Sequence, residues 1–107
     1  MKRGEIWWVN LDPTIGSEIK KRHPCVVVSN DASNRAQSRV QVVPMTSANP
    51  SRVYPWEARV TLNGGASKAL ADQIRTVAKA RLAALAGTTS ARELAALEDA
   101  LRFQLAL

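Results

Sequence analysis

The spacing of apolar residues divides the chain into a strand-like part and a helical part. Over most of its length, short aromatic or β-branched runs alternate with clusters of Pro, Gly, Asn and Ser, which is typical of strands joined by turns. Near the end, leucines recur every three or four residues, which is the spacing of one helical face. The pattern therefore predicts a β-rich body followed by one helix.

Five segments have the composition of strands, and two short segments favour helical turns. The strands are predicted at residues 5–11, 25–30, 39–46, 53–62 and 68–77, and the turns at 31–38 and 78–82. The second strand contains the continuous apolar run "CVVV", which indicates burial on both faces. Pro55 indicates that the fourth strand lies at an edge or starts there. The sequence "NGG" at 63–65 predicts a hairpin turn, because Asn and Gly tolerate positive φ.

The terminal helix has a clear start and one apolar face. Ser90 and Glu93 have the spacing of a capping box. We expect a helix over residues 90–106 whose apolar face packs on the body, and this face comprises Leu94, Leu97, Leu101 and Leu105. Phe103 and Leu107 fall off this face and are candidates for contact with a second subunit.

The predicted architecture is a single, mainly β domain over residues 1–107. A chain of this length fits one domain, and strands that would expose sticky edges in an open sheet are expected to close into a small barrel. We expect about five to seven strands over residues 1–89, followed by the terminal α-helix. Separate strands and a late helix disfavour a doubly wound parallel sheet.

Charge and cysteine content narrow the function and its location. The net charge is +6 and the pI is near 10.3, which favours a polyanionic partner such as nucleic acid. From Ser90 onward there are two arginines against three acids, which leaves +7 on residues 1–89. Cys25 has apolar neighbours and no partner for an intrachain disulfide, which favours a core position in a reducing cytoplasm. Neither a signal-peptide pattern nor an apolar run of membrane length is present.

Four adjacent cationic or titratable residues precede the second strand, and they are Lys20, Lys21, Arg22 and His23. Such a run is commonly a solvated loop, but here it feeds a buried strand that would hold its last members rigidly beside a bound phosphate. His23 is either a structural histidine or a catalytic base held in extended geometry by Pro24. Histidine is the side chain best suited to proton transfer near neutral pH.

Two further segments combine polar side chains with strands. Thr46 and Ser47 offer hydroxyls at a strand end, where such residues are also common without a function. The sequence "DQIRT" at 72–76 places Gln73 and Arg75 in an otherwise apolar segment. These two residues are candidates to read a base edge and to bind a second phosphate, or they form an outward polar face.

Trp7 and Trp8 are adjacent on a predicted strand, so their side chains point to opposite faces. One is therefore expected in the core. The other is a candidate stacking platform for a base or an anchor for a protein partner.

The sequence lacks the patterns of metal and nucleotide sites. One cysteine and one histidine cannot supply a zinc spacing, and no Gly-rich loop carries the Lys that cradles a phosphate. Catalysis without a metal or other cofactor is therefore expected if the protein is an enzyme. Metal-free RNA cleavage needs a base for the 2′-hydroxyl, a cation for the phosphate and a proton for the leaving 5′-oxygen. His23 and Arg22 are candidates for the first two.

Five segments, taken in order, give the chain a specific resemblance. "RGEIWWVNLDPTIGSE", "RHPCVVVSND", "VVPMTS", "ADQIRTV" and the terminal helix resemble the MazF/PemK family of toxins of type II toxin–antitoxin systems over nearly the whole chain. The resemblance implies an SH3-like barrel that works as a homodimer. It also implies a metal-free, sequence-selective endoribonuclease that cleaves single-stranded RNA to a 2′,3′-cyclic phosphate and a 5′-hydroxyl. A cognate antitoxin with a disordered acidic segment is the implied inhibitor.

The resemblance adds roles for individual residues. Thr46, together with an arginine, matches the family's catalytic pair, and Trp8 matches the aromatic residue of the first strand. With the candidates above, the predicted catalytic set is Arg22, His23 and Thr46. The predicted RNA-binding set is Trp8, Glu18, Lys20, Lys21, Ser47, Gln73 and Arg75.

One position departs from the family pattern, in which Arg directly precedes the strand proline. Here that residue is His23, and Arg22 stands one step earlier. Either Arg22 reaches the phosphate while His23 takes the proton, which we favour, or the site is altered in rate or substrate. The main alternative function is a non-catalytic small-barrel module that binds RNA or DNA. A ribosomal or chaperone-like role would explain the charge but not the motifs.

Overall fold

Seven strands and two helices form the part of the chain that is described, which comprises residues 1–13, 15–18 and 21–107 of a computed structural model. The strands are β1 (Glu5–Asn10), β2 (Arg22–Val27), β3 (Arg39–Thr46), β4 (Glu57–Leu62), β5 (Gly65–Leu70), β6 (Arg75–Ala78) and β7 (Leu82–Thr88). The helices are α1 (Asp31–Ala36) and α2 (Ala91–Leu105), and short 3₁₀ turns lie at Ala71–Gln73 and Lys79–Arg81.

All strand pairs are antiparallel, and the sheet follows the order β4–β5–β3–β2–β1–β7. β3 has two partners on its other side, because its first half pairs with β6 and its end pairs with β5. The sheet curls into a half-barrel with the terminal helix packed on it. The predicted mainly β fold and the number of strands are confirmed. Within the described residues no helix is both long and apolar enough to cross a membrane.

The predicted single strand at 68–77 is wrong, because the turn at Ala71–Gln73 divides it into β5 and β6. The turn lets β5 pair with the end of β3 and β6 with its beginning, a long-range arrangement that local composition does not signal. β7 was not predicted at all. Its sequence, "LAALAGT", is rich in Ala and poor in β-branched residues, so pairing with β1 rather than strand propensity holds it in the sheet.

Two buried clusters take alternate residues of the central strands. In β2 and just after it, Val26 and Val28 join the cluster that includes Leu97 of α2, whereas Cys25 and Val27 join the other cluster. The predicted burial of this strand on both faces is confirmed. Burial raises the pKa of the Cys25 thiol to about 12, although Arg75 opposes the shift, so the thiol is protonated and unreactive near neutral pH.

The terminal helix packs on the sheet through its first two-thirds only. Leu97 and Ala100 are fully buried, and Leu94 and Leu101 are half-buried. The prediction that Leu105 belongs to the packed face is wrong, since 49% of its surface is exposed. Every residue from Arg102 onward is exposed, so the leucine spacing continues past the part of the helix that is buried.

Candidate active site

A pocket of about 370 Å³ opens between the start of β2, the end of β3 and the β4–β5 hairpin. Five of the predicted site residues line it, and these are Trp8, Arg22, His23, Thr46 and Ser47. In the β2–β3 register Cys25 lies opposite Pro44, and extending that register by two residues brings His23 opposite Thr46. The sheet thus brings two catalytic candidates together that are far apart in the sequence.

His23 is half-buried at the pocket wall, and its ring is held by one contact. Nδ1 lies 3.3 Å from the carbonyl oxygen of Met45. A carbonyl oxygen can only accept a hydrogen bond, so this contact assigns the hydrogen to Nδ1. In the neutral ring Nε2 then carries the free lone pair, and the side chain can act as a base through that atom.

Arg22 is exposed at the edge of the same pocket. Its Cζ lies 5.5 Å from the centroid of the Trp8 ring, a cation–π geometry that holds the guanidinium beside the pocket. Trp7, by contrast, packs against the second buried cluster and donates its indole N–H to Glu5. Of the two adjacent tryptophans, Trp7 therefore packs on the core and Trp8 lines the pocket.

Thr46 contributes a hydrogen-bond donor at the end of β3. Its Oγ1 accepts the backbone N–H of Ala48 at 3.1 Å, which leaves its own hydroxyl hydrogen available to donate. Its backbone carbonyl accepts the hydroxyl of Ser67 at 2.8 Å, so the β4–β5 hairpin is tied to the end of β3 at this point. This pocket can therefore accommodate an anion between a base, a cation and a hydroxyl.

A second, smaller pocket of about 170 Å³ contains three more of the predicted RNA-binding residues. Glu18, Gln73 and Arg75 line it together with Asp72, Leu11, Pro44 and Ile74. Arg75 donates to the carbonyl of Leu11 at 3.3 Å, which fixes its guanidinium. The described lining residues of the two pockets do not overlap, and Pro44 of one and Met45 of the other are neighbours on β3.

Lys21 is not among the described lining residues of either pocket. Lys21 is exposed, adopts a positive φ and donates its backbone N–H to Asp12 at 2.9 Å. Lys20 lies outside the described residues. Of the run as described, Arg22 and His23 form the pocket wall.

Sequence reasoning missed the contribution of the hairpin to the larger pocket. Leu62 and residues 65–67 form one of its walls. The "NGG" signal correctly predicts the turn, but nothing in the local sequence says that the turn folds back against β3. Among the described residues, no group of three or more His, Cys, Asp or Glu side chains could hold a metal ion.

The chain matches a family described as "PemK-like, MazF-like toxin of type II toxin-antitoxin system" over residues 2–105. It is 44% identical to the endoribonuclease MazF9 of Mycobacterium tuberculosis over 116 aligned positions, which cover 100% of this chain and 98% of the relative. The crystal structure of MazF from Deinococcus radiodurans superposes with a TM-score of 0.87 at 28% identity, covering 100% of this chain and 97% of that one. A MazE–MazF structure from the same organism gives a TM-score of 0.79 at 26% identity, with coverage of 100% and 96%.

Proposed function

Because this chain belongs to the PemK-like, MazF-like toxin family of type II toxin–antitoxin systems, we propose that it is an endoribonuclease toxin acting on single-stranded RNA in the cytoplasm. The observation that carries the proposal is the convergence of Arg22, His23 and Thr46 on one pocket. This convergence combines a base, a phosphate ligand and a hydroxyl donor. Those are the groups that metal-free RNA cleavage uses at the attacking and charged oxygens.

In the proposed reaction, Nε2 of His23 removes the proton of a ribose 2′-hydroxyl. The 2′-oxygen forms a bond to the adjacent phosphorus while the bond from phosphorus to the 5′-oxygen breaks, which yields a 2′,3′-cyclic phosphate and a 5′-hydroxyl. Arg22 and Thr46 stabilise the charge that builds on the non-bridging oxygens. The leaving 5′-oxygen takes its proton from solvent at the open mouth of the pocket. No step requires a metal ion or another cofactor.

The remaining candidates are proposed to bind and select the RNA. Trp8 stacks on a base beside the scissile link, and Ser47 contacts the sugar–phosphate backbone. Glu18, Gln73 and Arg75 in the smaller pocket read the edge of a neighbouring base, which makes cleavage sequence-selective. Lys20 and Lys21 add attraction to the backbone.

Two protein partners are part of the same proposal. A cognate antitoxin with a disordered acidic segment would compete with RNA for the cationic pocket. The net charge of +6 favours binding of such an acidic segment. The other partner is a second copy of the chain, bound through the exposed apolar residues of the last helical turn, Phe103, Leu105 and Leu107.

The test is cleavage of matched RNA oligonucleotides in the presence of EDTA. We expect a ribose substrate to be cut at a defined site and the same sequence with 2′-hydrogen throughout to be bound but left intact, because the attacking oxygen is absent. Mass spectrometry of the fragments should find a 2′,3′-cyclic phosphate and a 5′-hydroxyl. Binding of both substrates without cleavage of either would instead support a non-catalytic nucleic-acid-binding module.

A further inference from the structure

Another cavity adjoins the larger pocket at the β4–β5 hairpin. This flanking cavity has a volume of about 350 Å³ and is lined by Pro50, Ser51, Arg59, Thr61, Ala66 and Ser67. Ala66 and Ser67 line both spaces. A chain-like ligand in the larger pocket therefore has a way onto the hairpin.

The strand register places four residues in one row across four strands, and these are Arg59, Lys68, Thr46 and His23. Lys68 of β5 lies opposite Thr46 on one side and opposite Arg59 of β4 on the other. His23 extends the row beyond Thr46 by the β2–β3 register. Neighbouring strands are about 4.8 Å apart, so the Cα of Arg59 lies about 10 Å from that of Thr46. Directly opposite residues share a face, so Arg59 points to the same side of the sheet as Thr46.

Arg59 is the next cation of this row that is available to a ligand. The side chain of Lys68 is only 7% exposed, and its ammonium contacts Glu57 at 3.0 Å and the carbonyl of Arg52 at 2.8 Å. Arg59 is exposed and makes no ion pair within the described residues. One of its five N–H groups donates to the carbonyl of Ser51 at 3.1 Å, which orients the guanidinium at the cavity wall and leaves donors for an anion.

The charge of the walls favours a polyanion along the whole path. Among the described lining residues of the two spaces the ionisable side chains are Arg22, His23 and Arg59, with no carboxylate. Glu93 approaches from α2, but its carboxylate is engaged by the backbone N–H of Thr61 at 2.7 Å and that of Ser90 at 2.8 Å. Glu57 is engaged by Lys68.

We propose that the flanking cavity binds a backbone phosphate of the RNA strand beyond the scissile link, with Arg59 as its ligand and the hydroxyls of Ser51 and Thr61 beside it. The site rests on the proposed function, because it takes the same strand that the larger pocket cleaves. A phosphate contact is insensitive to base identity. Its consequence is therefore a preference for longer substrates that does not depend on the flanking sequence.

The experiment measures binding and cleavage of one target sequence in three lengths: minimal, extended on the 5′ side and extended on the 3′ side. Binding uses non-cleavable 2′-deoxy versions, and cleavage uses ribose versions. We expect extension on one side to strengthen binding and Arg59→Gln to abolish that gain while leaving the minimal substrate unaffected. For the extended strand, the slope of log affinity against log salt should become shallower by about 0.7. Arg59→Lys, which keeps the charge, should retain most of the gain.

The matched control is Arg35→Gln, which removes the same charge from an exposed position on α1. This helix precedes the first residue of β3, whereas Thr46 is the last residue of β3. Thermal unfolding of each variant establishes that it is folded. Equal losses in Arg35→Gln and Arg59→Gln would attribute the effect to net charge and overturn the inference. It would also be overturned if extension brought no gain in the native protein, or if Arg59→Gln kept the gain. If the protein binds the deoxy strands with this length dependence but cuts no RNA, the proposed endoribonuclease activity is refuted and the proposed phosphate site at Arg59 is retained.

Discussion

At the scale of single residues, the critical position is His23. Pro24 follows it and biases it towards extended backbone, and the structure includes it in β2. The carbonyl of Met45 then fixes the ring so that Nε2 is the basic atom. A residue that departs from the family pattern thus has the geometry of a base, while Arg22 beside it keeps a guanidinium at the same pocket.

We predict that His23→Gln lowers kcat by about 10²- to 10⁴-fold, the usual contribution of a general base, with little change in RNA affinity. A reaction that depends on an unprotonated base slows on acidification, so the native enzyme should lose activity at low pH and the residual activity of His23→Gln should not show that loss. Single-turnover rates across pH, together with equilibrium binding to the 2′-deoxy strand, measure both effects.

Arg22→Gln is the companion variant, and it should impair phosphate binding as well as the rate. If His23→Gln cleaves at the native rate while Arg22→Gln is inactive, His23 is not the base. A pH–rate profile that stays flat from acid to neutral pH would lead to the same conclusion.

At the scale of elements, the start of α2 is held by hydrogen bonds within its own first turn and by a hydrogen bond to the edge strand β4. Ser90 and Glu93 form the predicted capping box, so that signal is confirmed. Glu93 also accepts the N–H of Thr61 on β4, an edge strand whose outward N–H groups have no neighbouring strand to pair with. Burial would raise the pKa of Glu93, but the hydrogen bonds from Ser90 and Thr61 outweigh it and hold the pKa below its ordinary value of 4.5.

The lowered pKa gives a prediction for acid stability. The unfolded chain binds the proton more readily, so the contribution of Glu93 is complete above the ordinary pKa and is lost as the pH falls through the lower folded value. Glu93→Gln should therefore lower the free energy of unfolding at neutral pH and flatten its decline below about pH 4.5. Ser90→Ala should cost about 1 kcal/mol.

Urea unfolding at a series of pH values measures this effect, and Asp99→Asn is the matched control. The Asp99 side chain is 80% exposed and paired only with Arg102 within the described residues. The two variants should differ at neutral pH and converge in strong acid. Identical pH profiles for Glu93→Gln and the native protein would contradict the assignment.

At the scale of the whole molecule, the end of α2 leaves large apolar side chains exposed. Phe103 is 58% exposed and Leu107 is 85% exposed, and Phe103 stacks at 6.3 Å on Trp56, which in turn stacks on Tyr54. A contiguous apolar patch of this kind is typical of a protein interface. It supports the proposal that two copies of the chain associate here.

We predict that the protein is a dimer by light scattering at micromolar concentration and that the double variant Phe103→Ser with Leu107→Ser is a folded monomer. Leu85→Ser is the matched control, because Leu85 is also 54% exposed but lies on β7. A monomeric native protein would refute the dimer. If Leu85→Ser alone dissociates the dimer, the interface lies on β7 and not at the end of α2.

How much the sequence could predict depended on the range of the interactions involved. The hairpin at 63–65, the capping box and the doubly buried β2 were predictable, because each is encoded in adjacent or regularly spaced residues. The division of 68–77 and the strand character of β7 were not, because both depend on pairing with β3 and β1. Burial of Leu105 was predicted wrongly, since its spacing fits the helix but not the extent of the sheet.

The candidate site divides in the same way. Residue chemistry and order along the chain determined the family, the basic body and the choice of Arg22, His23 and Thr46. Only the tertiary structure separated Gln73 and Arg75 into a second pocket, fixed the hydrogen of His23 on Nδ1, and aligned Arg59 with Thr46 across β5. These outcomes depend on which strands become neighbours and in what register, and register is a property of the folded sheet that local composition does not encode.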